Sequence, residues 1–215
     1  MTDLSTLLDE IARGEFPPTD MGVTHVRQPS EREAAVLATT AHAIVAADVA
    51  PEWLAEHLPP GDPGAAFNPP FLGALEAETG RRVNNIDMLF ISPSRSGPPE
   101  LSLSAVHDHD HPRVRRATRY RDDVTVFTCD GGVLVIGRGL AGRWEVGLEV
   151  SPEYRGKGLG RAMAAAAGHL VPDGSPLWAQ IGVGNVASVR AFLAAGFTPV
   201  AEETLLVRYR SAPES

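Results

Sequence analysis

The chain has 215 residues, 43% of them apolar, and a formal net charge of −8. This apolar content supports a folded core and excludes a wholly disordered chain. No apolar run reaches the roughly 18–20 residues that a membrane span requires. A single cysteine, Cys129, excludes an internal disulfide. We therefore expect a cytoplasmic protein that does not associate with a membrane.

The charge is unevenly distributed along the chain. Residues 1–110 hold 17 Asp and Glu against 6 Arg, whereas residues 111–215 hold 10 Asp and Glu against 13 Arg and Lys. An acidic half suits a cationic amine and a basic half suits an anionic ligand, although uneven surface charge without a function is the alternative. An acidic chain with 6% aromatic residues lacks the composition of a nucleic-acid-binding protein, so we expect no nucleic-acid partner.

The segment 1–110 is predicted to be mainly helical. Apolar residues recur at helical spacing in it, and Ser30 and Glu33 form a capping-box pattern before an Ala-rich run. The predicted elements are helices at 4–11, 34–47, 51–58 and 71–78 and a strand at 86–91. We expect this segment to supply the acceptor-substrate side, because the other half of the chain contains little that would define an acceptor pocket.

The pattern changes to β-strands from about residue 120, with a hairpin turn at Asp130–Gly132. This order predicts an α+β fold with a mixed, mostly antiparallel sheet flanked by helices, and a domain over 111–215. The predicted elements are strands at 124–128, 133–136, 144–150, 177–183 and 204–209 and helices at 158–170 and 186–195.

A glycine-rich loop connects the strand that ends at Val150 to the next predicted helix. Its glycines allow backbone N–H groups to converge on an anion, and the helix dipole adds to the attraction. Arg155, Lys157 and Arg161 supply further positive charge. The loop therefore predicts a pyrophosphate site.

Two other phosphate-binding motifs do not fit. A Walker A loop requires Gly-Lys-Ser/Thr, whereas Lys157 is followed by Gly158. A G-x-G-x-x-G pattern lies at 137–142, but residues 143–150 alternate like a strand and not like the helix that a dinucleotide site requires. We interpret 137–142 as a turn.

The pattern Arg155-x-x-Gly158-x-Gly160 closely resembles the R/Q-x-x-G-x-G/A signature of the GCN5-related N-acetyltransferase (GNAT) family. A second segment, Asn185-x-x-Ser188-x-x-x-Phe192-x-x-x-Gly196-Phe197, resembles that family at the expected distance. The resemblance covers roughly residues 120–210. It implies the GNAT fold, acetyl-CoA as the acyl donor and an amine as the acceptor.

The resemblance also implies how the donor is bound. Pantetheine would lie where two strands splay apart, with bonds along Leu148 and Val150 on one side and Asn185 and Ser188 on the other. A helix-capping role for Asn185 is compatible with that contact. The pyrophosphate would bind to Arg155, Gly156, Lys157, Gly158, Gly160 and Arg161.

Acyl transfer to an amine requires a base, because a free alkyl amine is mostly protonated at pH 7. Glu145 and Glu149 are the candidates, since a spacing of four places both on one face of the strand. The alternative is that one or both face solvent. A backbone N–H near Leu148–Val150 could polarise the thioester carbonyl. Many family members have a tyrosine, which can act as the general acid, where this chain has Phe192; Tyr154 and Tyr209 are possible substitutes.

Two further features carry weaker hypotheses. Cys129 is more consistent with packing than with a nucleophile, because Asp130 next to it raises the pKa of the thiol. The tract His107–His111 could bind a metal, but a solvated linker before a helix that begins at Pro112 is the preferred interpretation. We therefore predict no metal.

These observations predict an acetyl-CoA-dependent N-acetyltransferase that works by direct attack in a ternary complex. A non-catalytic acyl-CoA sensor is the alternative from a different class, and an acyltransferase for longer acyl groups is a third. The acceptor and the oligomeric state, including a homodimer, stay open.

Overall fold

The computed structural model describes residues 2–106 and 110–208, which form two compact units. The first unit comprises residues 2–88 with 200–208, and the second comprises residues 89–199. Within the described residues, no helix has the length and apolar character needed to cross a membrane.

The first unit combines a sheet with three helices. Its strand order is β1-β3-β2-β10-β4, with β1 parallel to β3 and both β2–β3 and β10–β2 antiparallel. β4 and β10 each extend a few residues into the second unit. The elements are α1 (Leu4–Ala12), β1 (Gly22–Val26), β2 (Glu33–Thr39), β3 (His42–Ala46), α2 (Pro51–His57), α3 (Pro69–Thr79), β4 (Arg81–Ser92) and β10 (Thr198–Arg208).

The helix predicted at 34–47 is wrong, because this run forms the β2–β3 hairpin. Thr39 pairs with His42 across a two-residue turn in which Ala41 has φ 55°. Every residue of β3 is buried, so the hairpin shows a continuous apolar run and not the alternation that marks a half-buried strand. The Ser30 hydroxyl bonds the Arg32 N–H and Glu33 in the approach to a strand, and not at a helix start. The N-terminal segment is therefore mixed and not mainly helical.

The other elements predicted in this segment are confirmed: α1, α2, α3 and β4 all form. Asp3 caps α1 by accepting a hydrogen bond from the Thr6 N–H. One face of the β2–β3 hairpin packs against α2, α3 and the short turn 63–67 between them. The buried residues of this core are Ala34, Val36, Ala43, Val45, Ala47, Leu54, Leu58, Ala65, Ala66, Phe71, Leu72, Leu75 and Leu206.

The second unit contains the elements that the sequence predicted after residue 120, except the last strand, which is part of β10 in the first unit. Its strand order is β9-β8-β7-β6-β5, antiparallel throughout except for the parallel pair β8–β9. The mixed, mostly antiparallel sheet flanked by helices is thus confirmed. The elements are β5 (Ser104–Val106), α4 (Pro112–Tyr120), β6 (Asp122–Cys129), β7 (Gly132–Arg138), β8 (Trp144–Val150), α5 (Leu159–Ala167), β9 (Leu177–Gly182) and α6 (Val186–Ala194).

The helices α4 and α5 pack on opposite faces of the β7–β8 ladder. Val114 of α4 packs with Val135 of β7. On the other face Met163 of α5 lies so close to Gly132 that a Cβ there would meet its sulfur at 2.5 Å. Residues alternate between the two faces of a strand, so Glu145, Gly147 and Glu149 share the α4 face and Val146, Leu148 and Val150 share the α5 face.

Candidate functional site

The strands β8 and β9 diverge soon after they begin to pair. Within the described residues, their ladder contains Trp144 opposite Leu177 and Glu145 opposite Trp178. β8 nevertheless continues to Val150, paired on its other edge with β7 along its whole length. The edge of β8 from Val146 to Val150 therefore faces a gap and not a strand partner, which is the splay that the resemblance implied.

The glycine-rich loop follows directly from that open edge. Gly156 has φ 74° and Gly158, the N-cap of α5, has φ 85°. This left-handed backbone favours glycine, and a Cβ at either position would meet no atom within 4 Å, so conformation and not crowding explains both glycines. No side chain caps the first N–H groups of α5, and Arg155, Lys157 and Arg161 are exposed around them.

Local bonds hold the loop against the end of β8. The Ser151 N–H donates to the Gly131 carbonyl at 2.9 Å, and the Arg155 Nε–H donates to the Val150 carbonyl at 3.1 Å. The Tyr154 ring covers Gly131 so closely that a Cβ there would lie 2.1 Å from it. The loop thus has a defined position at the helix N-terminus, where an anion is favoured.

Gly160, the last glycine of the motif, lies in the first turn of α5 and has a different environment. A Cβ on it would lie 3.7 Å from Val150 and 3.8 Å from Ala191 of α6. Both are ordinary contact distances, so alanine fits at this position without displacement of a neighbour. This tolerance agrees with the G/A alternative in the motif.

The second motif organises α6. The Asn185 side chain accepts a hydrogen bond from the Ser188 N–H at 3.2 Å, which shows its capping role. Asn185 is exposed and Ser188 is half-buried. Gly196, with φ 90°, follows the helix end, and the Phe192 and Phe197 rings contact each other edge-on with centroids 4.9 Å apart. Phe192 is therefore a core residue. Its side chain also has no proton to donate.

Glu145 lies in a buried ion-pair network. Its carboxylate accepts hydrogen bonds from Arg121 Nε and Arg143 Nε, each at 2.9 Å, and from the Leu140 N–H at 3.3 Å. A Cβ on Gly139 would lie 2.2 Å from the same carboxyl group, so that glycine makes room for it. The predicted turn at 137–142 is confirmed, and Glu145 connects it to β8.

The surroundings of Glu145 favour a fixed anion over a proton acceptor. Burial alone would raise the pKa of its carboxyl group, but the charges and hydrogen bonds of Arg143 and Arg121 outweigh burial and lower it. The residue is 3% exposed. A carboxylate held by two arginines away from water is a poor shuttle for a substrate proton.

Glu149 is placed differently on the same face. Its side chain is 42% exposed, and its Oε2 lies 3.6 Å from Arg113 Nε, which is longer than a hydrogen bond. It stands beside Val150, at the end of β8 that faces the gap. Of the two predicted base candidates, Glu149 is the one that water and an acceptor can reach.

The weaker candidates have these positions. Cys129 is half-buried, and burial followed by the charge of Asp130 raises the pKa of its thiol, which does not favour a nucleophile. Tyr154 is exposed on the loop. His107–His109 and Tyr209 lie outside the described residues, so the metal hypothesis for the His tract stays untested. Among the described residues, no group of three metal-ligating side chains occurs.

Two arginines lie near Gly147 in positions that the sequence did not indicate. A Cβ on Gly147 would lie 3.1 Å from Arg121 Nη1 and 3.6 Å from Arg113 Cδ, so both side chains cross the strand at the same point. The available signal was a run of arginines on α4, which resembles a solvated helix face. Nothing in that run indicates which arginine turns inward.

Comparison with known proteins gives an independent assignment. Residues 99–197 match the Acetyltransferase (GNAT) family. No curated protein matches the chain.

Solved structures with a similar fold are GNAT proteins. A GCN5-related N-acetyltransferase from Kribbella flavida aligns at 16% identity and a TM-score of 0.42, over 65% of this chain and 64% of that one. A putative GNAT-family acetyltransferase from Novosphingobium aromaticivorans aligns at 20% identity and 0.38, over 61% and 69%. A tandem GNAT protein from the clavulanic acid biosynthesis pathway aligns at 16% and 0.40, over 67% and 61%. The chain thus spans less than two thirds of the first of these proteins.

The sequence match and the geometry of the second unit agree. Residues 99–197 form a GNAT acetyltransferase domain, a class whose members are acyl-CoA-dependent acetyltransferases. The recognisable part ends at Phe197, which closes the second motif.

Proposed function

We propose that this chain is an N-acetyltransferase that transfers the acetyl group of acetyl-CoA to a primary amine by direct attack in a ternary complex. The observation that carries the proposal is the open edge of β8 leading directly into a positively charged loop at the N-terminus of α5. An extended pantetheine suits the first feature and a pyrophosphate the second.

Residue roles in donor binding follow from this arrangement. Backbone groups from Leu148 to Val150 line the gap. Gly156 and Gly158 supply the loop conformation, and Gly160 lies in the first turn of α5 beside Val150. On the far side Asn185 and Ser188 begin α6. Arg155, Lys157 and Arg161 contribute charge, and Arg155 would exchange its bond to the Val150 carbonyl for a phosphate oxygen.

In the proposed reaction Glu149, directly or through a water, takes a proton from the acceptor ammonium. The free amine attacks the thioester carbonyl carbon, whose oxygen gains charge and is stabilised by a backbone N–H of β8. The attacking nitrogen then loses its second proton, the C–S bond breaks as the amide forms, and the CoA thiolate leaves and takes up a proton. Glu145 acts as a positioning residue that fixes the turn before β8.

The buried Phe192 supports the alternative function, an acyl-CoA-binding sensor without turnover. Phenylalanine cannot protonate the leaving thiolate, and the Phe192 ring instead packs against Phe197. Under the enzyme proposal another group, such as the exposed Tyr154, or solvent supplies that proton. A longer acyl donor is the third proposal and is tested with the same assay.

The acceptor side remains a proposal from sequence. We propose that residues 1–110, with 17 Asp and Glu against 6 Arg, contribute to the choice of a cationic acceptor. The boundary at residue 110, the cytoplasmic location and a homodimer likewise stay predictions.

The first experiment is isothermal titration with acetyl-CoA, longer acyl-CoA and free CoA. Gly158→Trp places a bulky side chain at the helix N-terminus and is expected to abolish binding. Gly174→Trp is the matched control, because Gly174 also has a positive φ, 79°, and open space around it, but follows the other end of α5. Equal binding by both variants would contradict the proposed donor site.

Turnover is then measured as release of CoA thiol with a panel of amines. Glu149→Gln is expected to lower kcat by about 10²–10⁴-fold, because glutamine cannot accept the amine proton. Glu153→Gln, an exposed change on the loop, is the charge control. Tight donor binding without turnover of any amine would favour the sensor and reject the enzyme.

A further inference from the structure

Three polar side chains of the first unit form a hydrogen-bonded chain that the proposed acetyl transfer does not use. His42 Nδ1 lies 2.8 Å from Asp20 Oδ1, and His42 Nε2 lies 2.8 Å from the Thr24 hydroxyl. The parallel ladder explains the second contact, because His42 pairs with Gly22 and Thr24 follows two residues later on the same face of β1. An ionised carboxylate only accepts hydrogen bonds, so Nδ1 carries the proton of the neutral ring and Nε2 accepts from Thr24. This order and tautomer activate a hydroxyl for nucleophilic attack.

The three residues differ in exposure as this chemistry requires. The His42 side chain is 5% exposed, whereas the Asp20 side chain is 53% exposed. The hydrogen bond from His42, followed by that from the Gly22 N–H, lowers the pKa of the Asp20 carboxyl group, which therefore stays ionised at neutral pH. Thr24 is half-buried, and β1 stands at the end of the strand order, so no strand within the described residues covers its outer edge. The imidazole is thus shielded from water, while the hydroxyl lies on a strand that a small molecule can approach.

The backbone on both sides of the pair Asp20–His42 is strained. Met21, which follows Asp20, has φ 60°, and Ala41 next to His42 has φ 55°. Both values lie in the left-handed region that disfavours residues other than glycine, and the Met21 N–H donates to the Ala41 carbonyl at 2.9 Å. Gly22 makes room for the carboxylate, since a Cβ there would lie 2.7 Å from Asp20 Oδ1. Strain of this kind is concentrated at functional sites, which favours a chemical role over simple packing.

We propose that Thr24 is the nucleophile of a second reaction site, which hydrolyses small carboxylic esters with His42 as general base and Asp20 as its positioning residue. Thr24 Oγ attacks the ester carbonyl carbon, and its proton passes to His42 Nε2. As the bond to the alcohol oxygen breaks, His42 gives that proton to the departing alcohol. Water then attacks the acyl-threonine with His42 again as base, and the Thr24 oxygen recovers the proton as the carboxylic acid leaves.

The surroundings of Thr24 define the substrate class. A half-buried hydroxyl with a methyl group beside it suits a short acyl chain. The outer edge of β1 has no strand partner within the described residues, so its backbone N–H groups are free of a ladder and one of them can stabilise the oxyanion. This hydrolysis goes beyond the proposed acetyl transfer and requires no acetyl-CoA.

The first test is covalent labelling of the full chain with an alkyl fluorophosphonate, which an activated hydroxyl attacks with loss of fluoride. We expect one adduct per chain by intact-mass spectrometry, located at Thr24 by peptide mapping and absent from Thr24→Val. Thr39→Val is the matched control, because the Thr39 hydroxyl bonds the backbone carbonyl of His42 and not its ring. A folded parent protein that forms no adduct, or forms it at another residue, would overturn the proposal.

A variant at Asp20 separates activation from structure. The amide of Asp20→Asn donates to His42 Nδ1 and moves the ring proton to Nε2, which then cannot accept from Thr24. We expect labelling and the hydrolysis of p-nitrophenyl acetate to slow by about 10²–10⁴-fold, with circular dichroism confirming that the variant is folded. Equal labelling rates in Asp20→Asn and the parent protein would show a structural network and reject the proposal. Labelling at Thr24 without ester hydrolysis above the Thr24→Val rate would reject the esterase.

Discussion

Glu145 and Glu149 share a residue type, a strand and a face, but not an environment. Arg121, far away in sequence, bonds Glu145 and excludes water from it, while Glu149 keeps 42% of its side chain exposed. Nothing in the local sequence distinguishes the two, since their partners come from α4 and from the turn before β8. Burial and partner identity, and not spacing, therefore distinguish the two carboxylates.

The buried network around Glu145 predicts a pH-dependent stability. Glu145→Gln removes the buried carboxylate that Arg121 and Arg143 both bond and is expected to lower the free energy of unfolding by about 3–5 kcal/mol at pH 7. The folded-state pKa of Glu145 lies below its ordinary value of 4.5, so the stabilisation is complete above that value and is lost as the pH falls through the lowered pKa. Urea denaturation at stepwise lower pH measures the effect.

The control for this experiment is Glu153→Gln, which changes an exposed charge and is expected to stay within about 0.5 kcal/mol of the parent protein. The difference between the parent protein and Glu145→Gln should narrow toward acid pH. A difference that stays constant from neutral to acid pH would contradict the assigned ion pairs.

At the scale of elements, the β2–β3 hairpin is the clearest departure from the sequence prediction. Alanine favours helices, and Leu37, Ile44 and Val45 also occur at helical spacing. The hairpin forms nevertheless because both of its strands pack within the unit, so burial outweighs intrinsic propensity. Its turn contains no glycine, and Ala41 itself adopts the left-handed conformation with φ 55°. The sequence therefore lacks the residue types by which a hairpin turn is recognised.

That turn predicts an unusual effect of glycine. Alanine in a left-handed conformation destabilises the folded state by about 1–2 kcal/mol, and Ala41→Gly removes this strain. Glycine also increases the conformational entropy of the unfolded chain, which lowers stability by about 0.4–1 kcal/mol. We expect the free energy of unfolding, measured by chemical denaturation, to be unchanged or to rise by up to about 1.6 kcal/mol. If Ala41 lay in the interior of a helix, the same substitution would instead lower the free energy of unfolding by about 1 kcal/mol.

Ala38→Gly provides the comparison, because Ala38 lies within β2 and pairs with Ala43. Glycine there is expected to cost about 0.5–1 kcal/mol. If both substitutions destabilise the protein equally, the assigned turn at Ala41 is incorrect.

At the scale of the whole molecule, donor binding should appear as added stability. A ligand that binds the folded state alone stabilises it by about 2.7 kcal/mol at a hundred times its Kd. We therefore expect Tm to rise steadily with acetyl-CoA concentration in the parent protein and in Gly174→Trp, and to stay constant in Gly158→Trp. Thermal unfolding followed by circular dichroism measures this.

A rise in Tm of the same size in Gly158→Trp would show that acetyl-CoA stabilises the chain from another site. Free CoA provides a second comparison, since it contains the pyrophosphate and lacks the acetyl group. If the glycine-rich loop binds the pyrophosphate, free CoA should stabilise the protein through the same residues.

The sequence alone determined the parts of this protein whose signals are local. The glycines of the loop, the helix that follows, the cap at Asn185 and the order of strands after residue 120 are each encoded by adjacent residues. Their conformations need a positive φ, a cap or a simple alternation, and these requirements can be recognised without a partner. The family resemblance rested on the same local patterns, and for that reason the match at 99–197 confirmed it.

Only the tertiary structure decided what depends on residues distant in sequence. It made a hairpin of the run at 34–47. The sequence did not indicate these strands, because burial on both faces removes the alternation by which a strand is recognised. It enclosed Glu145 between two arginines and left Glu149 accessible, and it turned Arg113 toward the strand at Gly147. Each outcome depends on packing and charge partners that only the folded chain brings together, and these decide the chemistry available at the site.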